Sequence, residues 1–202
     1  VEQHRAIAVI RTTDPDLGWS MAQAVMAGGM QLIEIAWTDG AAPLITRLRR
    51  AHPDHWIGTG TITNSEQLAG AIAAGAQFCF SPATQPPLIA QALAQDLPFI
   101  PGALSPTEIV TAWQAGAPCV KVFPIACLGG ARYIQALQGP LGQIPLIPTG
   151  GVALEQAKTL VAAGAIGVGL STGLFTPEAM ATRDWPAITA NATQVMEQFS
   201  DR

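Results

Sequence analysis

Charge is scarce in this chain. Charged residues make up 12% of its 202 residues, against 49% apolar, and the formal net charge is −4. Such a composition lacks the basic footprint that nucleic-acid binding leaves, so no nucleic-acid partner is expected. Long apolar runs are missing too. Gly, Pro or a charge breaks each one before it reaches the ~20 residues of a membrane-spanning helix, so no membrane partner is expected. Val1-Glu-Gln-His-Arg5 runs straight into a strand pattern, without the apolar core of a leader. Cysteine is limited to Cys79, Cys119 and Cys127. An odd number with no CxxC spacing argues for reduced thiols in the cytoplasm rather than a disulfide framework. The histidines are His4, His52 and His55. His52-Pro-Asp-His55 has no evident third ligand, so neither a metal site nor a cofactor is expected. What remains is a chain long enough, and apolar enough, for one well-buried domain spanning 1–202.

Lysine is the rarest charged type, with Lys121 and Lys158 alone. Lys158 falls in Leu154-Glu-Gln-Ala-Lys-Thr-Leu160, on the wet face of a helical pattern. Lys121 sits in Pro118-Cys-Val-Lys-Val-Phe-Pro124, an apolar, β-branched stretch bounded by prolines that reads as a short buried strand. Burying an ammonium is costly unless it is paired or neutralised. A desolvated amine gives up its proton more readily, which frees it to attack a carbonyl and form a Schiff base. A snorkelling or ion-paired structural lysine is the alternative. Two further charges interrupt apolar strand patterns: Arg11 in Ala6-Ile-Ala-Val-Ile-Arg11, and Glu34 in Leu32-Ile-Glu-Ile-Ala36. One acid, one base and one amine in otherwise apolar strands read as a catalytic set. A buried salt-bridge network is the weaker competitor, because such networks stabilise little.

An internal repeat organises the chain. Ala27-Gly28-Gly29, Ala74-Gly75-Ala76, Ala115-Gly116-Ala117 and Ala163-Gly164-Ala165 each close a helical pattern ahead of an apolar strand, recurring roughly every 45 residues. Each interval holds two strand–helix units. With one unit before and one after, the count predicts a single-domain (β/α)8 TIM barrel. Strands are expected near 6–11, 31–36, 56–61, 77–80, 98–101, around Lys121, at 144–148 and at 165–169. Helices are expected from Asp14-Pro15, near 41–51, from Asn64, near 85–94, from Ser105-Pro106 with Glu108 completing a capping box, from about 130, near 153–162 and from Trp185-Pro186. Prolines in the fifth and seventh strands sit poorly with strand interiors, and an open doubly wound sheet is the alternative. Side chains alternate across a strand, so Arg11, Glu34 and Lys121 would converge in a barrel lumen, with Val9, Leu32, Cys119 and Phe123 on their faces.

Three loops are rich in Gly, Ser and Thr: Gly58-Thr-Gly-Thr61, Pro148-Thr-Gly-Gly151 and Gly169-Leu-Ser-Thr-Gly173. Such loops leave backbone N–H groups available to an anion, and the loops after strands seven and eight are where barrels commonly hold phosphate. A reactive amine beside a phosphate cradle suggests a phosphorylated keto compound.

These residues resemble a known family. Glu34 in Gly28-Gly-Met-Gln-Leu-Ile-Glu-Ile, Gly58-Thr-Gly-Thr61, Ser81-Pro82, Pro101-Gly102, Lys121-Val-Phe-Pro124 and Pro148-Thr-Gly-Gly151 look like the KDPG/KHG aldolases, which act on 2-keto-3-deoxy-6-phosphogluconate and 4-hydroxy-2-oxoglutarate. The resemblance covers nearly the whole chain. It implies a metal-free class I aldolase on a (β/α)8 barrel, a cytoplasmic homotrimer that takes a phosphorylated 2-keto acid to pyruvate and glyceraldehyde 3-phosphate. It implies that Lys121 is the Schiff-base lysine and Glu34 the general acid/base. Thr61 would line the pyruvate end, Pro82 the substrate, and Phe123 the imine. Thr149, Gly150 and Gly151 would form a substrate-binding loop, and Ser171 with Thr172 would stand where the family has a Gly-Ser phosphate contact. Thr38 occupies the place of an arginine that grips carboxylate in some members; Arg11 fits members that carry that arginine at the end of strand one. The 6-phosphogalactonate aldolase and a non-catalytic phosphometabolite-binding barrel are the alternatives.

Overall fold

The computed structural model describes residues 1–200, so the last two residues of the expected domain lie outside the description. Nine strands and nine α-helices follow along the described chain, β5 and β6 without a helix between them and α8 and α9 without a strand: β1 (Ala6–Ile10), α1 (Pro15–Ala27), β2 (Leu32–Ala36), α2 (Ala41–Ala51), β3 (Trp56–Gly60), α3 (Ser65–Ala73), β4 (Cys79–Phe80), α4 (Pro86–Leu93), β5 (Phe99–Ile100), β6 (Gly102–Ala103), α5 (Pro106–Gln114), β7 (Val120–Val122), α6 (Ala131–Leu141), β8 (Leu146–Pro148), α7 (Ala157–Ala162), β9 (Val168–Leu170), α8 (Pro177–Thr182) and α9 (Trp185–Glu197).

The expected closed eight-strand TIM barrel is not what forms. The strands make two parallel sheets, a curled one of six in the order β5-β4-β3-β2-β1-β9 and one of three in the order β6-β7-β8. The reasons lie at the two junctions. Pro101 splits the expected fifth strand into β5 and β6, because a proline has no N–H to donate to a ladder. Phe99 and Ile100 pair with β4, whereas Gly102 and Ala103 pair with β7. At the other junction β8 and β9 meet through a single bridge, Thr149 to Gly169.

Alternation along the strands builds two cores. Ala8, Ile10, Ile33, Ile35, Ile57, Val120, Val122, Leu146 and Val168 face the helices, where they meet residues such as Met21, Leu44, Ile89, Ile109, Ile134 and Ile188. Ile7, Leu32, Phe80, Ile100, Cys119 and Ile147 form a second cluster, drawn from both sheets. Each large aliphatic buried this way contributes about 1.5–3 kcal/mol. The two sheets thus share one inner space without sharing one ladder.

The helix signals read from the sequence are present. The Asp14 side chain accepts from the N–H groups of Asp16 and Leu17 at 2.9 and 3.2 Å, with Pro15 in the first turn. Ser105 and Glu108 close their capping box, Glu108 accepting from Ser105 N at 2.7 Å. The repeat glycines Gly75, Gly116 and Gly164 adopt left-handed φ values of 84°, 94° and 111°. In the first repeat that role falls to Gly29 at 93°, one residue later than expected. Gly28 serves close packing instead: a Cβ there would lie 2.7 Å from the Thr189 carbonyl oxygen of α9. No helix among the described residues is long and apolar enough to cross a membrane.

Candidate active site

Lys121 is the middle residue of β7. Val120 and Val122 turn into the helix-side core, and Lys121 shares the inner face with Cys119. It is 6% exposed. Its Nζ lies 5.0 Å from the Phe123 ring centroid and 5.5 Å from that of Phe80, within the range where an aromatic face attracts a cation.

Glu34 is the next inward residue of β2 after Leu32 and is 2% exposed. Burial pushes its carboxyl above the ordinary value of 4.5, while the charges of Lys121 and Arg11 pull the other way. By strand alternation Glu34, like Lys121, lies on the inner face of its strand. Neither the Glu34 carboxylate nor the Lys121 amine hydrogen-bonds to a described residue, and among the described residues no fully buried side-chain polar atom lacks a partner. Both heads therefore open onto the inner space, where a ligand can reach them.

Arg11 departs from its expected strand position. β1 ends at Ile10, and Arg11 follows it as an exposed residue. Its Nη2 donates to Thr61 Oγ1 at 3.0 Å. Thr61 follows the last residue of β3 with φ of 65°. A β-branched residue in the left-handed region is an outlier, and such strain concentrates at functional sites. Thr38 does not join this group; its hydroxyl donates to the Thr12 carbonyl at 2.7 Å and ties two loops together.

Pro82 follows Ser81, a buried serine whose hydroxyl donates to the Ala83 carbonyl at 2.9 Å. The Pro82 backbone packs on Gly102, where a Cβ would collide with it, and Gly102 is the ladder partner of Lys121. Thr149 is tied to the same strand: its N–H donates to Val122 O at 3.0 Å, and its carbonyl accepts from Ile125 N at 3.0 Å. Gly150, with φ of 92°, lies against the Phe123 ring; a Cβ there would fall 2.8 Å from the ring edge. Gly151 is also left-handed, at 75°. The turn after β9 reaches this loop through Gly173, where a Cβ would stand 3.2 Å from Val152 O. Ser171 is half-buried and Thr172 exposed. The N–H groups of Gly151, Thr172 and Gly173 donate to no described acceptor. Three such donors in two touching loops can bind an anion.

Two features lie outside this constellation. An apolar cavity of about 330 Å³, lined by residues including Ile7, Leu32, Phe78, Phe80, Ile100 and Cys119, occupies the opposite end of the inner space. Its lining includes His4, Gln3 and Gln77 but neither Lys121, Glu34 nor Arg11, so the polar mouth is the better candidate. His52 meets the Gln23 side chain at 2.6 Å and the His55 ring at a centroid distance of 5.6 Å. No group of three or more His, Cys, Asp or Glu among the described residues is arranged to hold a metal ion.

Over residues 1–191 the chain matches the family of KDPG and KHG aldolases. It is 34% identical over 177 residues to a 2-dehydro-3-deoxy-phosphogluconate aldolase of Dickeya dadantii, covering 87% of this chain and 83% of that one. It is 32% identical over 178 residues to a KHG/KDPG aldolase of Escherichia coli K12, covering 88% and 84%. Its fold resembles a KDPG aldolase from Legionella pneumophila, solved with pyruvate captured as a covalent carbinolamine. The TM-score is 0.87 at 28% identity, over 95% of this chain and 94% of the other.

Proposed function

The chain belongs to the KDPG and KHG aldolase family, and we propose that it works as a metal-independent class I aldolase in a single catalytic domain spanning 1–202. Its substrate is 2-keto-3-deoxy-6-phosphogluconate, cleaved to pyruvate and glyceraldehyde 3-phosphate. It also cleaves 4-hydroxy-2-oxoglutarate to pyruvate and glyoxylate. The observation that carries this reading is the pair of buried, hydrogen-bond-free side chains Lys121 and Glu34 opening onto one space.

The steps follow from these residue types. The Lys121 amine attacks the C2 ketone to give a carbinolamine, and loss of water leaves an iminium. Glu34, a weaker acid than usual because it is buried, donates a proton to the departing hydroxyl and becomes a carboxylate. That carboxylate then takes the proton of the C4 hydroxyl. The C3–C4 electron pair flows into the iminium, the aldehyde leaves, and an enamine remains on Lys121. Glu34 returns its proton to C3, and water releases pyruvate and the free amine. Because the iminium is the electron sink, no step needs a metal.

Arg11 grips the carboxylate of the pyruvyl unit, which needs a charge-assisted donor. Thr61, Pro82 and Phe123 shape that end. Thr149, Gly150 and Gly151, with Ser171 and Thr172, receive the phosphate through their N–H groups and hydroxyls. The free thiols Cys79, Cys119 and Cys127 fit a cytoplasmic enzyme. The exposed Leu93, Leu104 and Trp113 fit burial in a homotrimer.

Pyruvate release from phosphogluconate-, phosphogalactonate- and hydroxyoxoglutarate-derived substrates, measured side by side, tests the reading. The highest kcat/KM is expected with the phosphogluconate substrate. No pyruvate from any of them contradicts an aldolase, and a preference for the galactonate epimer contradicts the substrate.

A further inference from the structure

We propose that Gly60 is a positioning residue for proton transfer, because its missing side chain is the seat of the Glu34 carboxylate. β2 and β3 run parallel with Glu34 opposite Gly58 and Ala36 opposite Gly60. Ile57 and Thr59 face away from the inner space, and Thr59 Oγ1 donates to Ile35 O at 2.7 Å. The two inward positions of β3 beyond Trp56 are therefore both glycines. They are filled from neighbouring strands by different side chains. The Phe78 ring covers Gly58, and Glu34 covers Gly60.

The contact at Gly60 is specific to Glu34. A Cβ there would overlap Oε1 and stand 2.5 Å from Cδ and 3.0 Å from Cγ, and these are its three nearest atoms. Gly60 is not among the residues with positive φ, so alanine suits its backbone. Its carbonyl accepts from Trp37 N at 2.8 Å, a bond that a Cβ leaves alone. The obstacle to a side chain at this position is the carboxylate itself. Since that carboxylate has no hydrogen bond to a described residue, its orientation rests on the surfaces it touches. Gly60 then hands the chain to Thr61, which holds Arg11. One dipeptide thereby positions both an acid and a base.

The inference rests on the assignment of proton transfer to Glu34, but its steric half stands apart from that assignment. Two measurements separate them. In a thermal-melting cycle, Gly60→Ala should lower Tm clearly when Glu34 is present and little in a Glu34→Ala background. Equal shifts in both backgrounds overturn the seat. The second measurement is deuterium exchange at the pyruvate methyl group in D2O, which needs both the imine and a base. Gly60→Ala should slow this exchange roughly 100-fold and leave borohydride trapping of pyruvate on Lys121 in place. Glu34→Asp retracts the carboxylate by one methylene. It should slow exchange in the parent yet restore it several-fold in Gly60→Ala. Exchange within twofold of the parent for Gly60→Ala, or Glu34→Asp slowing both backgrounds equally, overturns the positioning role. Unchanged exchange in Glu34→Gln overturns instead the reading on which that role rests.

Discussion

Arg11 donates from Nη2 to the Thr61 hydroxyl at 3.0 Å across 50 residues of sequence, and the receiving threonine keeps a left-handed backbone at φ 65°. The link ties the end of β1 to the end of β3, on either side of Glu34 in β2. If Arg11 grips the pyruvyl carboxylate, Arg11→Ala should lose about 1.5–3 kcal/mol of transition-state stabilisation. The loss should be equal for phosphorylated and unphosphorylated substrates, because both contain that unit. Thr61→Val should lose less, and the double variant should fall short of the sum. Steady-state kcat/KM on both substrates checks this; full additivity would mean the contact is incidental.

Thr61 also predicts a conflict between stability and activity. A β-branched residue in the left-handed region carries strain of about 1–3 kcal/mol. Thr61→Gly relieves it at an entropic cost of about 0.5–1 kcal/mol. The variant should melt no lower than the parent while its kcat/KM falls with the loss of the Arg11 acceptor. Melting and kinetics on one preparation decide the matter; a lower Tm would show that Thr61 is not strained.

Glu34 makes stability depend on pH with a definite sign. Its folded-state pKa lies above the ordinary 4.5, because burial disfavours the charged carboxylate. Between those two values the folded chain binds more protons than the unfolded chain. Stability should therefore fall as pH rises from 4.5 through the folded-state value, then level off. Glu34→Gln has no such proton, so the difference in unfolding free energy between variant and parent should widen in its favour across that window. Urea titrations at a series of pH values measure it, and a constant difference would contradict the burial effect.

Thr172 probes the other end of the substrate. Its exposed hydroxyl has no described partner, and neighbouring N–H groups donate to none. Thr172→Val keeps the shape and removes the hydroxyl. It should cost about 0.5–1.5 kcal/mol with the phosphogluconate substrate and little with hydroxyoxoglutarate. Equal losses on both would move the phosphate to another part of the loop.

Much of this arrangement is legible from charge set against pattern. Lys121 and Glu34 interrupt apolar strands, and alternation alone puts each on the face opposite its helix-side neighbours. Arg11 is less legible, because the pattern that marks it as a strand residue does not show that the ladder stops at Ile10. The Ala-Gly repeat predicts eight strand–helix units where nine strands form, and it carries no information about closure. That depends on whether neighbouring backbones hydrogen-bond, and Pro101 and the single Thr149–Gly169 bridge decide it at the two junctions. Gly60 is hidden because Gly58-Thr-Gly-Thr61 reads as a strand end whose glycines free backbone N–H groups for an anion, whereas those glycines are inward strand positions occupied by Phe78 and Glu34. Thr61 is hidden because nothing about a threonine announces a positive φ. The short α8 was not expected, although Thr176 caps it by accepting from Ala179 N at 3.3 Å, with Pro177 at its first turn.

The central claim is that Lys121 attacks the keto carbon. Incubating the protein with pyruvate and borohydride, then sequencing peptides by mass, tests it most directly. The account predicts one stable reduced adduct, on the peptide carrying Lys121, formed in step with loss of aldolase activity. An adduct on Lys158, or lost activity with no adduct, would contradict it.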